Sequence, residues 1–244
     1  MRKYLEIATL LTLGLATTGA QCQPEPRATA ETQQFDFEQA RHQMVDEQIK
    51  ARGIKDTRVL NAMREVPRHE FVPEAYRRQA YEDSPLPTSS GQTISQPYIV
   101  ALMTELADPR PDQRVLEVGT GSGYQAAILS RLVRDVYTVE ILPELARTAT
   151  QRLDRLGFKN VHVREGDGYL GWSEHAPFDF ILVTAGAREI PKPLIEQLKQ
   201  GGRMVIPVDS SAGDQTLQVL EKGANGDVRI RDVIPVRFVP LVRR

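Results

Sequence analysis

The sequence predicts an α/β fold with a doubly wound, mostly parallel central sheet, N-terminal helices and a C-terminal antiparallel hairpin. Two observations predict it. Downstream of Pro111, short apolar runs alternate with helical stretches, an order that forms parallel strands joined by crossover helices. Near the end of the chain, two alternating runs follow each other with no helix between them, which is typical of an antiparallel hairpin.

Three helices are predicted before the sheet, over residues 36–52, 57–66 and 97–107. Gly53 ends the first helix, Asp56 caps the second, and Pro97 begins the third. Residues 84–96 are rich in Pro, Gly, Ser and Thr, so they predict a loop rather than an element.

The apolar runs predict the core strands, over residues 115–118, 136–140, 161–164, 178–183 and 203–207. The stretches between them predict helices over residues 123–133, 143–156 and 191–200. Residues 215–221 and 228–242 alternate with period two, and the turn at 223–227 separates them. They predict the hairpin that completes one edge of the sheet.

Composition indicates an ordinary globular protein and limits its partners. The chain has 244 residues, of which 41% are hydrophobic and 26% are charged, with a formal net charge of -1, which excludes a disordered or low-complexity chain. Because 31 Lys and Arg balance 32 Asp and Glu, we expect no nucleic-acid partner. The single cysteine, Cys22, excludes an internal disulfide, and no Cys/His cluster suggests a metal. We expect a monomer.

Residues 1–20 resemble an export signal. Arg2 and Lys3 precede an apolar run over residues 7–16, and small residues follow it. The run is too short for a permanent membrane anchor, and Gln21 stands where a lipidated Cys22 would need a small residue. An uncleaved extension or a misassigned start codon are the alternatives. Residues 21–34 predict a flexible spacer, and residues 35–244 a single domain.

A glycine-rich loop follows the first core strand, where an open parallel sheet binds its ligand. Gly119, Gly121 and Gly123 allow a tight turn and a close approach to a ligand. The dinucleotide pattern fits only from Gly121 and only with Ala126 in the last position, and the lysine of a Walker loop is absent. Glu117 just before the glycines would repel a pyrophosphate, so the loop favours cationic S-adenosylmethionine over NAD. A tight turn without a ligand is the alternative.

Two more acids follow the next strands. Glu140 ends the second core strand, where its oxygens can accept both hydroxyls of a ribose. Asp167 and Gly168 follow the third strand, where Asp167 can accept from an adenine amino group. Each acid alone is equally well explained as a cap or a solvated loop residue. Together with the glycines, the three acids predict an S-adenosylmethionine site.

The sequence resembles the protein-L-isoaspartate O-methyltransferase family over residues 36–242. The segments that carry the resemblance are residues 81–87, 91–98, 115–123, 165–168, 179–185 and 236–241. Residues 91–98, Gly-Gln-Thr-Ile-Ser-Gln-Pro-Tyr, are the most specific of these, because other methyltransferases lack them. The resemblance implies a Rossmann-like, class I S-adenosylmethionine-dependent methyltransferase that methylates isoaspartyl residues and so starts their repair through a succinimide.

The resemblance also implies the roles of individual residues. Ser95 is the active-site serine it implies. The cofactor residues it implies are Thr93, Glu117, Gly119, Gly121, Gly123, Glu140, Asp167 and Gly168. Ser95 has an alternative role as the N-cap of the helix that begins at Pro97. Isoaspartyl peptides are the expected partners, and residues 233–241 are a candidate edge for pairing with them.

Family members are typically cytosolic and begin near residue 36 of this chain, so residues 1–34 are additional. Since S-adenosylmethionine is made in the cytosol, we expect a cytoplasmic enzyme, with the periplasm as the alternative if residues 1–20 direct export. Two competing functions are open at this stage. One is a methyltransferase of the same fold acting on a small molecule or a nucleic acid, and the other is a non-catalytic relative that only binds the cofactor.

Overall fold

Parallel strands form the centre of the protein, as the sequence predicts. The computed structural model describes residues 35–210 and 213–243. Its strands are β1 (Leu86–Pro87), β2 (Thr93–Ile94), β3 (Arg114–Val118), β4 (Asp135–Glu140), β5 (Val161–Glu165), β6 (Phe178–Val183), β7 (Leu198–Asp209), β8 (Gln215–Lys222) and β9 (Val228–Val236). Within the described residues, β3 to β9 form one sheet in the order β5-β4-β3-β6-β7-β8-β9. The strands from β5 to β7 are parallel, and β8 and β9 run antiparallel at one edge.

The helices lie close to their predicted positions. They are α1 (Phe37–Gln43), α2 (Thr57–Glu65), α3 (Pro97–Ala107), α4 (Tyr124–Ser130), α5 (Pro143–Arg155) and α6 (Lys192–Gln197). A π-helical turn and a 3-10 turn extend α1 to Arg52, where Gly53 ends the segment in the left-handed conformation. The Asp56 carboxylate accepts a hydrogen bond from Arg58 N at 2.8 Å, so the predicted cap of α2 is confirmed.

Residues 84–96 differ from the prediction, because this segment is not a plain loop. β1 and β2 pair as a short antiparallel hairpin, residues 86–94, with Leu86 opposite Ile94. Both of these side chains are buried in the core. Packing of these two apolar side chains stabilises the hairpin. The loop prediction missed it because it was based on the Pro and Gly content of the segment.

The last strand is also shorter than predicted. It ends at Val236 rather than 242, because Gly186 forms backbone hydrogen bonds with Val239 and Leu241 that draw the chain across the sheet edge. Of the candidate pairing edge at 233–241, only the part up to Val236 belongs to a strand. The helix predicted over residues 191–200 ends early because β7 begins at Leu198.

Two hydrophobic clusters lie on opposite faces of the sheet. Successive side chains of a strand point to opposite faces, so Val115 of β3 joins the cluster beneath α3 and α4, while Leu116 and Val118 join the cluster beneath α6. Contacts group residues from Phe35 onward into one compact unit. The signal and spacer predicted for residues 1–34 lie outside the described residues. Within the described ranges, no helix is both long and apolar enough to cross a bilayer.

Candidate active site

A cavity of about 330 Å³ lies at the carboxyl ends of the strands. The chain passes from β3 to β4 and β5 on one side, then returns to β6 and β7 on the other, and ligands bind where the strand order reverses in this way. Most of the lining residues come from five segments, 91–95, 118–122, 139–142, 184–185 and 239–242. The walls draw on both hydrophobic clusters, since Tyr124 belongs to one and Val139 to the other.

The glycine loop, residues 119–123, forms one wall. A Cβ at Gly119 would lie 2.5 Å from Thr184 Oγ1, and the Thr184 hydroxyl donates to Gly119 O at 2.6 Å. Gly121 has φ +51°, and a Cβ there would have no described atom within 4 Å. Gly121 therefore presents bare backbone to the cavity, as a closely approaching ligand requires.

Gly123 has a different position, because it is not among the cavity-lining residues. A Cβ at Gly123 would lie 3.3 Å from Leu153 Cδ1. Its small size allows α5 to pack closely against the start of α4. The structure thus places Gly119 and Gly121 at the cavity and Gly123 against a helix.

Glu140 holds the glycine loop in place. Its Oε2 accepts from Gly121 N at 2.8 Å, and its Oε1 accepts from Leu142 N at 3.0 Å. Among the described residues that line the cavity, Glu140 is the only one with a charged side chain. Each carboxylate oxygen accepts a further hydrogen bond, so this position fits the predicted contact with two ribose hydroxyls.

Glu117 is buried beneath the loop and does not line the cavity. The Thr138 hydroxyl donates to Glu117 Oε2, and Thr120 Oγ1 lies 2.7 Å from Thr138 Oγ1. Glu117 Oε1 has no hydrogen-bond partner among the described atoms. Burial raises the pKa of Glu117 to about 8, so in the protein without ligand the carboxyl is mostly protonated at pH 7. Any direct electrostatic attraction to a cationic ligand in the cavity then comes chiefly from Glu140.

Asp167 and Gly168 lie beside the opposite wall. Asp167 Oδ1 accepts from Tyr169 N at 2.9 Å, and Oδ2 is 3.7 Å from the Arg243 guanidinium. Gly168 lines the cavity, whereas Asp167 does not. A Cβ at Gly168 would lie 2.5 Å from Val118 Cγ1, so only glycine lets this turn pack against β3.

Thr93 and Ser95 both line the cavity, at the end of the hairpin. The alternative role of Ser95 as an N-cap is wrong. Gln96 is the N-cap of α3, its carbonyl accepts from Val100 N, and no described side chain caps this helix. Because Pro97 at the first helical position lacks an N–H, helix capping does not require a hydroxyl at residue 95.

The cavity fits S-adenosylmethionine better than a dinucleotide. A pyrophosphate would meet the Glu140 carboxylate and, among the described lining residues, no basic side chain. A cationic donor with a ribose meets a complementary carboxylate and a bare loop. No cluster of metal-ligating side chains was found in the described part of the chain. The fold and this site define the chain as a class I S-adenosylmethionine-dependent methyltransferase.

Comparison with known proteins identifies the family. A family model described as Protein-L-isoaspartate(D-aspartate) O-methyltransferase (PCMT) matches residues 39–244. The chain is 58% identical over 205 residues to protein-L-isoaspartate O-methyltransferase 2 of Pelobacter propionicus, covering 84% of this chain and 91% of the relative. It is 55% identical over 200 residues to the enzyme of Gloeobacter violaceus, covering 82% and 97%. The chain belongs to the protein-L-isoaspartate(D-aspartate) O-methyltransferase family.

Solved structures agree with this assignment. One protein-L-isoaspartate O-methyltransferase superposes with a TM-score of 0.73 at 31% identity over 83% of this chain, and the match spans 65% of that structure's length. A putative protein-L-isoaspartate O-methyltransferase from Plasmodium falciparum, solved in complex with S-adenosyl-L-homocysteine, also gives a TM-score of 0.73, at 26% identity over 84% of this chain and 99% of that structure.

Sequence reasoning missed several residues at this site. Thr184 and Tyr124 line the cavity, and Arg68 contacts both Ser95 and Tyr124 from behind the wall. Thr184 follows a predicted strand end, a position that could have drawn attention to it. Arg68 is one of 31 basic residues, and the charge pattern does not distinguish it.

We expect Gly121→Val to abolish binding of S-adenosyl-L-homocysteine, because the side chain would enter the open space at the loop. Gly157→Val is a matched control, since Gly157 also has a positive φ and free space around a Cβ but lies outside the cavity. Calorimetric titration of both variants tests this. Similar affinity in the two variants would contradict the assignment of the loop.

We also expect Glu117 to make stability depend on pH. With its folded pKa raised from 4.5 to about 8, the neutral carboxyl favours the folded state at low pH, and this stability is lost as pH rises from about 4.5 to 8. Glu117→Gln should remove that slope, a difference on the order of 5 kcal/mol across the interval. Urea unfolding of both proteins without ligand at pH 5 and pH 8.5 measures it, and parallel pH profiles would refute it.

Proposed function

We propose that this chain transfers a methyl group from S-adenosylmethionine to the free carboxylate of L-isoaspartyl residues in damaged peptides and proteins. One observation carries the proposal: Ser95, which follows β2, and the bare glycine loop line a single cavity. The high identity to protein-L-isoaspartate O-methyltransferases along 84% of the chain supports it. Spontaneous closure of the ester to a succinimide then begins repair.

The chemistry asks the protein mainly for positioning. The accepting carboxylate has an ordinary pKa near 4 and is already ionised at pH 7, so no general base is needed. Bound S-adenosylmethionine supplies a methyl group on a positively charged sulfur. Ser95 donates a hydrogen bond that orients the carboxylate, and Glu140 with the glycine loop holds the donor at the other wall.

The hairpin closes the site above the carboxylate. Thr88 N donates to Gln92 O at 2.8 Å across its turn, so this hydrogen bond continues the pairing of β1 and β2 into the tip. Charge on both reactants falls as the methyl group moves, so exclusion of water by the hairpin favours transfer.

Incubation with labelled S-adenosylmethionine and an isoaspartyl peptide beside its aspartyl twin tests the proposal. We expect methylation of the isoaspartyl peptide alone. Transfer to neither peptide, despite cofactor binding, would reject the function and favour a non-catalytic relative.

Ser95→Ala tests the role of the serine that follows β2. We expect kcat to fall about tenfold or more while the affinity for S-adenosyl-L-homocysteine changes less than about twofold, since the hydroxyl acts on the substrate. Ser173→Ala, at an exposed serine away from the cavity, is the control and should retain full activity. An equal loss of cofactor affinity and turnover in Ser95→Ala would contradict the assignment.

We further propose a monomer that works in the cytoplasm without nucleic acid or a permanent membrane anchor. Cofactor supply supports the location, because S-adenosylmethionine is made there. Export through residues 1–20 would instead place the chain in the periplasm, and the intact mass of the native protein distinguishes the two by showing whether these residues are removed.

A further inference from the structure

Arg68 is a fully buried cation directly behind the wall of the cavity. It begins the 3-10 turn Arg68–Phe71 after α2, and its exposed fraction is 0%. Burying a guanidinium is costly unless its charge and donors are used. Its position beside Ser95 raises the question of what it does there.

Two hydrogen bonds from the Arg68 side chain to backbone carbonyls join it to the chain on both sides of the hairpin, and we call residues 80–98, which contain the hairpin, the hairpin segment. Its Nε donates to Ala80 O at 2.7 Å, and its Nη2 donates to Ser95 O at 2.8 Å. Its Cζ lies 4.9 Å from the ring centroid of Tyr124, the first residue of α4. Arg68 thus fixes Ser95 relative to the helix that follows the glycine loop.

The charge of Arg68 is not paired. Burial lowers its pKa to about 10, so the guanidinium remains protonated at pH 7. None of the ion pairs among the described residues includes Arg68, and its Nη1 has no hydrogen-bond partner among them. The nearby Asp83 is bound to Arg52 at 2.6 Å. An unpaired cation in a medium of low polarity favours an anion in the adjacent space.

The cavity itself supplies no positive charge to attract a carboxylate. Its described lining contains no Lys, Arg or His, and Glu140 would repel an anionic substrate. We propose that Arg68 is the positioning residue for the methyl-accepting carboxylate, because it holds Ser95 by its carbonyl and supplies the positive potential at that end of the cavity. This inference rests on the proposed function, which places a carboxylate there.

Arg52 offers a matched control, because it also contacts the chain on both sides of the hairpin, but from the protein surface. Its Nη1 binds Asp83, and its Cζ lies 3.5 Å from the ring centroid of Tyr98. The Arg52 side chain is 44% exposed, so its charge is screened by water. Arg52→Gln removes a similar tie without removing a buried charge.

The experiment compares Arg68→Gln, Arg68→Lys and Arg52→Gln in the full chain. We expect Arg68→Gln to raise KM for an isoaspartyl peptide about tenfold or more, with S-adenosyl-L-homocysteine affinity within about threefold. Arg68→Lys keeps the charge and should recover most of KM. Arg52→Gln should change KM less than about threefold. If the role of Arg68 were purely structural, Arg68→Gln would raise KM and weaken cofactor binding together. Arg68→Lys would then not restore KM.

A binding measurement with the wild type keeps the inference testable if Arg68→Gln does not fold. In the complex with S-adenosyl-L-homocysteine, we expect the isoaspartyl peptide to bind at least about tenfold more tightly than its neutral side-chain amide twin. Equal binding of the two peptides, or equal KM in Arg68→Gln and Arg68→Lys, overturns the role of Arg68 but not the proposed function. A wild type that methylates no isoaspartyl peptide overturns the proposed function, and the role of Arg68 with it.

Discussion

The hydrogen bonds between the Glu140 carboxylate and the turn above it determine the geometry of the site. One oxygen holds Gly121 N and the other holds Leu142 N, so a single side chain joins the end of β4 to the glycine loop after β3. The loop can follow this path because Gly119 and Gly121 have no Cβ. The same carboxylate is the charged group at the cavity. One interaction therefore sets both the shape of the loop and the sign of the charge that a ligand meets.

Most of the fold was predictable from the sequence, because local pattern determines it. Helix α3 begins at Pro97 and ends at Ala107 as predicted, since proline at the first turn and the change in apolar spacing are both local signals. The hairpin at residues 86–94 was not predicted, because its stability comes from burial of Leu86 and Ile94 in a core formed by distant parts of the chain. Tertiary contacts of this kind leave no local signal.

The site was predictable only in part, for a similar reason. Glycines and acids at strand ends mark where a ligand binds, and Glu140 lies at the cavity as expected. The sequence cannot show that Glu117 is buried, accepts a hydrogen bond from Thr138 and has a raised pKa, since desolvation depends on the assembled fold. The contact between Arg68 and Ser95 joins residues 27 positions apart in the chain, so local pattern does not reveal it. The sequence predicts three acids around a cationic donor, whereas in the structure only Glu140 of these three carries its charge at the cavity.

The cavity lies between the two hydrophobic clusters, and its walls include side chains from each, such as Tyr124 and Val139. A ligand that fills the cavity therefore packs against side chains of both clusters. Because a ligand that binds only the native state adds to the free energy of unfolding according to its concentration, resistance to heat and to proteases should follow the supply of adenosyl compounds in the cell.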